Sequence, residues 1–247
     1  MVCPGLSPRS CLSHARQMSR ALWSGVRHAV LDAWAVLQPV ECAGCSAPDR
    51  ALCDECRSAL TPAPRLRSIE GLNLPVWAAA TYGGVLRRVV LAGKDHGRVD
   101  ALRALAPLLI RAIAEATAHG PRDGAAVELA WVPSTNAALR RRGFDPVLTV
   151  IRAARLPHSR VLVASGLGQQ KALDRASRHQ RAGRQLRAVG RLEGRRFVLV
   201  DDVVTTGATI RAAVAAIHLG GGDVVAVCCL GTVDLRNFQG DTGARDH

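Results

Sequence analysis

Apolar positions recur at helical spacing in the first half of this chain and gather into short, strand-length runs in the second. Trp23, Val26, Val30, Trp34 and Leu37 share one helical face, which predicts an amphipathic surface helix over residues 21–37. Residues 1–17 show no periodicity and are expected to be disordered, so Met18 competes with Met1 as the true start. Pro62, Pro64 and Pro75 mark residues 61–75 as a linker. Residues 76–82 predict a strand. Leu102, Leu105, Leu109 and Ile113 predict a helix over 101–118, ended by Gly120 and Pro121.

Beyond this point strands and helices alternate. Strands are expected at 127–132, 161–164, 197–200 and 223–230. A basic helical stretch is expected over 137–155, broken at Pro146, and a helix over 209–219 turns Ile210, Val214 and Ile217 to a sheet. Gly220, Gly221 and Gly222 cap that helix. Residues 166–184, polar and basic, read as a mobile loop passing into a helix. The run 197–200 is apolar on both faces, as in a buried parallel sheet. The alternation implies right-handed crossovers and an α/β fold.

At 247 residues the chain has room for one sizeable α/β domain and a small appendage. The stretch 21–37 is its nearest approach to a membrane span, and Arg27, His28 and Asp32 interrupt it; the same charges spoil it as a signal-peptide core. No membrane insertion is expected, and the localisation is read as cytoplasmic, where thiols stay reduced. The net charge of +13 favours a polyanionic partner. Arginine carries nearly all of it, with Lys94 and Lys171 the only lysines, a bias that GC-rich coding also produces. Aromatic residues are too few, at 3%, for a base-stacking platform.

The chemistry concentrates in Phe197-Val-Leu-Val-Asp-Asp-Val-Val-Thr-Thr-Gly-Ala-Thr209. A buried strand delivers its end to the sheet edge where open α/β folds bind ligands. Asp201 and Asp202 then offer acceptors suited to the vicinal hydroxyls of a ribose. Val203, Thr205, Thr206, Gly207, Ala208 and Thr209 form a small hydroxyl-rich turn, whose amides and following helix N-terminus suit a terminal phosphate. The competing reading is a Walker B-like or metal-binding strand, but the chain lacks the Gly-x4-Gly-Lys-Ser/Thr loop that a P-loop ATPase needs.

This segment resembles the phosphoribosyl diphosphate (PRPP) motif of type I phosphoribosyltransferases. Four further features resemble the ComF family, competence-associated phosphoribosyltransferase-like proteins. They are the cysteine quartet described below, the run from Tyr82 to Lys94, the Pro133…Arg-Gly-Phe144 stretch, and Gln170-Lys-Ala-Leu173 with Arg178. The resemblance implies that Asp201 and Asp202 hold the ribose hydroxyls and that Thr205 to Thr209 hold the 5′-phosphate. It implies a pyrophosphate loop at Pro133, Ser134, Thr135 and Asn136, with Arg140 and Arg142 near the diphosphate. It implies a closing loop over 168–178 whose Lys171 and Arg178 stabilise leaving charge, and Mg²⁺ bound with PRPP. Arg181, Asp145 and Pro146 depart from the family pattern.

Cys42-Ala-Gly-Cys45 and Cys53-Asp-Glu-Cys56 are two Cys-x2-Cys pairs, a spacing that in a reduced compartment favours structural Zn²⁺. Cys228 and Cys229 lie in an apolar run, where they pack as small hydrophobes. The expected divisions are a leader and helix at 1–38, a four-cysteine zinc-binding segment at 39–60, the linker at 61–75, a phosphoribosyltransferase-like domain with a helix-flanked parallel sheet at 76–232, and a disordered tail at 233–247. Three functions remain open: a PRPP-dependent phosphoribosyltransferase, a PRPP- or nucleotide-sensing protein without turnover, and an accessory factor for DNA uptake in natural transformation, with single-stranded DNA and competence proteins as partners. Nothing in the sequence specifies the acceptor.

Overall fold

The computed structural model describes residues 40–48, 50–120, 123–164 and 186–233. The expected helix over 21–37, the loop over 166–184 and the tail beyond residue 233 lie outside them.

Strand β1 (Arg65–Ile69) and strand β2 (Leu72–Thr81) form a hairpin, paired antiparallel and closed by Glu70 and Gly71. Gly71 has φ +71°, as such tight turns favour. The linker expected at 61–75 is therefore largely sheet. Pro75 is accommodated because it sits where the β1–β2 register shifts, one residue before β2 starts its parallel pairing at Val76, so it interrupts no ladder.

Helix α1 (Asp54–Ala59) opens the described elements, and α2 (Gly84–His96), α3 (Val99–Arg103) and α4 (Ala106–Ala118) follow β2. The single helix expected over 101–118 is thus two, because Pro107 stands in the first turn of α4 and cannot donate to a continuing ladder. Then come β3 (Val127–Trp131), α5 (Asn136–Arg142), α6 (Pro146–Ala153), β4 (Leu162–Ala164), β5 (Leu186–Ala188), β6 (Arg196–Val204), α7 (Ala208–Leu219) and β7 (Asp223–Thr232). The break expected at Pro146 is present: Gly143 ends α5 at φ +77°, and Pro146 begins α6.

The main sheet has the order β1-β2-β7-β6-β3. Its β2, β7, β6 and β3 run parallel, and β1 is the antiparallel edge. Strands β4 and β5 form a separate antiparallel pair. This is the α/β architecture with a helix-flanked parallel sheet expected from the alternation. One core lies between the sheet and helices α2 to α4 and α6, with Leu86, Val89, Leu109, Ile151 and Val200. The other lies against α7 and the β4–β5 pair, with Phe197, Leu199, Ile210 and Ile217. Cys228 and Cys229 are buried in β7, one in each core, as expected of small hydrophobes.

Leu52, Cys42, Cys56 and Leu60 belong to the first core. The cysteine segment is packed into the domain: Arg88 of α2 donates Nε–H to the Gly44 carbonyl, and Arg98 donates to that of Glu41 at 2.9 Å. Among the described residues, no helix is long and apolar enough to cross a membrane.

Candidate functional site

Strand β6 carries the acidic pair to the carboxyl edge of the sheet, one strand from β3. It extends to Val204, so both aspartates lie within the last four residues of the strand. The two carboxylates have different surroundings. Asp201 is only 6% exposed and lines a hollow of about 40 Å³ with residues 203–210. Asp202 meets α2 instead: Lys94 Nζ lies 2.6 Å from its Oδ2. Asp202 Oδ1 also accepts the Val203 amide at 2.6 Å, and Asp201 Oδ1 accepts the Asp202 amide at 2.9 Å. The structure brings the two expected carboxylates together at the strand end, Asp201 lining the hollow and Asp202 paired with a lysine.

The hollow is made by the turn from β6 into α7. Gly207 is the N-cap of α7 at φ +73°, a left-handed conformation that glycine adopts without strain. A Cβ there would also stand 2.3 Å from Ile69 Cγ2, so the hairpin fixes this residue from outside. Thr206 Oγ1 accepts the Ala208 amide at 3.4 Å. Arg211 ties the turn to the hairpin, with Nη1 2.8 Å from the Glu70 carbonyl and 3.0 Å from that of Thr206. The first turn of α7 lines the hollow, and a helix N-terminus offers unpaired amides and a positive dipole end that suit an anion. Ile69, Arg211 and Lys94 were all missed as site residues by sequence reasoning. Lys94 alone had a signal, the run from Tyr82 that it ends.

The turn Pro133 to Asn136 follows β3, beside the end of β6. Its amides are fewer than expected. Pro133 has none, and that of Ser134 is taken by Asp145 Oδ2 at 2.6 Å. Asp145 has two tasks, since its Oδ1 also caps α6 by accepting the Leu148 amide at 3.1 Å. Thr135 caps α5 through its hydroxyl, which accepts the Ala138 amide at 3.2 Å. Arg142 donates its Nε–H to the Lys94 carbonyl at 2.7 Å, steadying the helix end that presents Lys94. Arg140 is exposed on α5. Lys171 and Arg178 lie outside the described residues. Tyr82 stands in the field of Lys94 and Asp202, and burial pushes its phenol up from the usual value.

The four cysteines converge as the spacing predicts. The Sγ atoms of Cys42, Cys45, Cys53 and Cys56 all lie within 4.8 Å of one another. Those of Cys45 and Cys53 are 3.6 Å apart, close to the edge of ~3.8 Å that a tetrahedron with Zn–S near 2.3 Å requires. The Gly44 and Cys53 amides each donate to Cys42 Sγ at 3.3 Å. Burial raises the Cys42 thiol, but these amides outweigh it and bring it down to about 6. Burial pushes Cys56 well up. A Cβ on Gly44 would come within 2.5 Å of Cys56 Sγ, so the knuckle closes only around glycine. Four soft donors on one centre fit Zn²⁺.

A parallel sheet with a left-handed glycine turn at the carboxyl end of its second-from-edge strand is an open α/β arrangement, in which ligands bind beyond the carboxyl ends of the strands. Comparison with known proteins narrows the class. Residues 147–234 match the family described as the phosphoribosyl transferase domain. Over 52 residues the chain is 44% identical to the orotate phosphoribosyltransferase of Phenylobacterium zucineum (strain HLK1), covering 21% of this chain and 26% of that protein. Over 56 residues it is 38% identical to the adenine phosphoribosyltransferase of Desulfosudis oleivorans (strain DSM 6200 / JCM 39069 / Hxd3), covering 23% and 31%. Among solved structures, the allosteric regulatory enzyme of purine biosynthesis aligns at 23% identity with a TM-score of 0.34, covering 54% of this chain and 26% of that one. The matched stretch spans about a quarter of the first of these relatives. Residues 147–234 are thus similar to a phosphoribosyl transferase domain, and the matched stretch contains the whole β6–turn–α7 segment.

Proposed function

We propose that the protein binds PRPP in the β6–α7 hollow and acts as a phosphoribosyltransferase-like protein of the ComF type. The carrying observation is the left-handed Gly207 turn, pinned by Ile69 and Arg211, with Asp201 among the residues that line the hollow. In this reading the turn's amides hold the 5′-phosphate, and Asp201 accepts from a ribose hydroxyl. Asp202 and Lys94 form a second polar pair, in which Asp202 accepts from the neighbouring hydroxyl and Lys94 offers positive charge to the diphosphate. Thr135 and Asn136 supply the amides left in the turn after β3. The reaction would displace pyrophosphate at the ribose anomeric carbon as a nitrogen nucleophile bonds there.

Asp201 and Asp202 are the oxygen donors beside which Mg²⁺ would sit, and with Lys94 on Asp202 they do not make an all-protein cage. Mg²⁺ prefers oxygen ligands and substrate phosphates, and would supply charge neutralisation between ribose and diphosphate. The ComF assignment rests on the cysteine quartet, the run ending in Lys94 and the Arg-Gly-Phe stretch. Of these, the first two are joined in the fold through α2.

Titration calorimetry of PRPP with Mg²⁺ tests the reading, wild type against Asp201→Asn/Asp202→Asn. Binding to wild type and its loss in the double variant are expected. No heat with wild type, or equal affinity for both, would overturn it.

A further inference from the structure

A second cleft, of about 520 Å³, is lined in part by Pro133, Ser134 and Asn136 of the turn after β3 and shares no lining residue with the hollow at the β6–α7 turn. Its walls are α6 on one side and the segment from His158 to Ala164 on the other. Two features give it chemical character. The first is an aromatic floor. Trp131 and Phe144 line it, and His158 meets Trp131 edge-on, with ring centroids 5.5 Å apart at 80°.

The second is charge. Arg152 and Arg160 line the cleft from opposite walls, both are exposed, and neither forms an ion pair among the described residues. The carboxylate in the wall, Asp145, uses both oxygens on backbone amides. The cleft is therefore cationic over an aromatic floor, and its volume falls within the ~300–1,000 Å³ of small-molecule sites.

We infer that this cleft binds a planar aromatic anion, its ring against Trp131 and Phe144 and its anionic group on Arg152 and Arg160. Ring faces gain from burial against aromatic side chains, and planar guanidinium forks match carboxylate and phosphate oxygens alike. The site differs from the phosphoribosyl hollow but is not isolated from it. Asp145 lines the cleft and also holds the Ser134 amide of the turn after β3, so a ligand that moves Asp145 alters that turn.

The probes must lack a ribose phosphate, which the hollow itself would take. Nicotinate supplies an aromatic carboxylate and phenyl phosphate an aromatic phosphate. Calorimetry is expected to show binding of at least one of them to wild type, with the stronger ligand telling which anion the arginines favour. Affinity should fall at least tenfold in Arg152→Ala/Arg160→Ala. It should persist in Asp201→Asn/Asp202→Asn, and the Trp131 indole resonance, assigned with Trp131→Phe, should shift on binding. If neither probe binds at millimolar concentration, or the arginine variant binds as well as wild type, the inference fails while PRPP binding stands. If the probes bind and PRPP does not, the cleft stands and the phosphoribosyl reading falls.

Discussion

Lys94 of α2 and Asp202 of β6 are joined at 2.6 Å, and this pair links the cysteine knuckle to the candidate site at the end of β6. At one end of α2, Arg88 holds the Gly44 carbonyl of the knuckle. At the other, Arg142 holds the Lys94 carbonyl at 2.7 Å. A rigid helix thus spans the distance from a candidate metal site to the acidic pair. Both side chains of the pair are mostly buried, at 24% and 16% exposure, so the contact is only partly screened by solvent.

Replacing Lys94 with Met should weaken PRPP binding more than it weakens the fold. Without the ammonium, Asp202 brings an uncompensated negative charge to a ligand that is itself strongly anionic. A loss of about tenfold in affinity, ~1.4 kcal/mol, is expected. Calorimetry gives the affinity, and thermal unfolding of the same samples shows whether the fold is intact. An unchanged Kd would remove Lys94 from the site.

Gly207→Ala should be strongly destabilising, for two separable reasons. The left-handed φ costs about 1 kcal/mol for a non-glycine residue, and the new Cβ collides with Ile69. Adding Ile69→Ala should remove the collision and leave the dihedral cost. The double variant is therefore expected to be more stable than the sum of the single changes predicts, a coupling that urea unfolding of the four proteins measures.

How much of this was legible in the sequence depends on distance along the chain. The strand, turn and helix from Phe197 to Leu219 are local, and their apolar runs and glycine marked them closely. So did the two Cys-x2-Cys pairs, whose spacing dictates convergence. What escaped were contacts between distant segments. Ile69 reaches Gly207, and Arg211 reaches Glu70, across a hairpin that three prolines disguised as a linker. Nothing local shows that Arg142 Nε reaches a backbone carbonyl 48 residues earlier. Asp145 resembled a departure from a pattern, although its carboxylate caps α6 and occupies the Ser134 amide.

The knuckle should hold one Zn²⁺ per chain, and removing it should reach further than the knuckle. Cys42 and Cys56 share a core with Leu86 and Val89 of α2, so loss of the metal loosens packing under the helix that presents Lys94. Chelation is expected to lower the melting temperature by about 10 °C, given ~3 kcal/mol of linked binding energy. It should also weaken PRPP binding. Metal analysis with Cys42→Ser is expected to show less than the wild-type zinc content. Full zinc content in that variant would exclude Cys42 as a ligand.

Glu128 offers a pH-dependent test of the sheet that carries the site. It lies on β3, and Arg195, just before β6, donates Nε–H to its Oε1 and Nη2–H to its Oε2, both at 2.7 Å. Ser159 adds a third donor, and the guanidinium also lies 5.2 Å from the centre of the Phe197 ring. The Arg195 hydrogen bonds, helped by Ser159, bring the Glu128 carboxyl from its ordinary 4.5 down to about 2. A carboxyl depressed by folding stabilises the protein above its unfolded pKa, and that contribution is lost as pH falls toward the folded one. The window is thus pH 4.5 to 2. Because about a third of each side chain is exposed, the effect at pH 7 is discounted to ~1 kcal/mol. Glu128→Gln should be less stable than wild type at pH 7, with the gap closing as pH falls through this window. Acid also protonates the cysteine thiolates and releases metal from both proteins, so the difference between them, not either curve, carries the test. A gap that stays constant from about pH 7 to about 2.5 in urea unfolding would show that Arg195 does not hold Glu128 ionised.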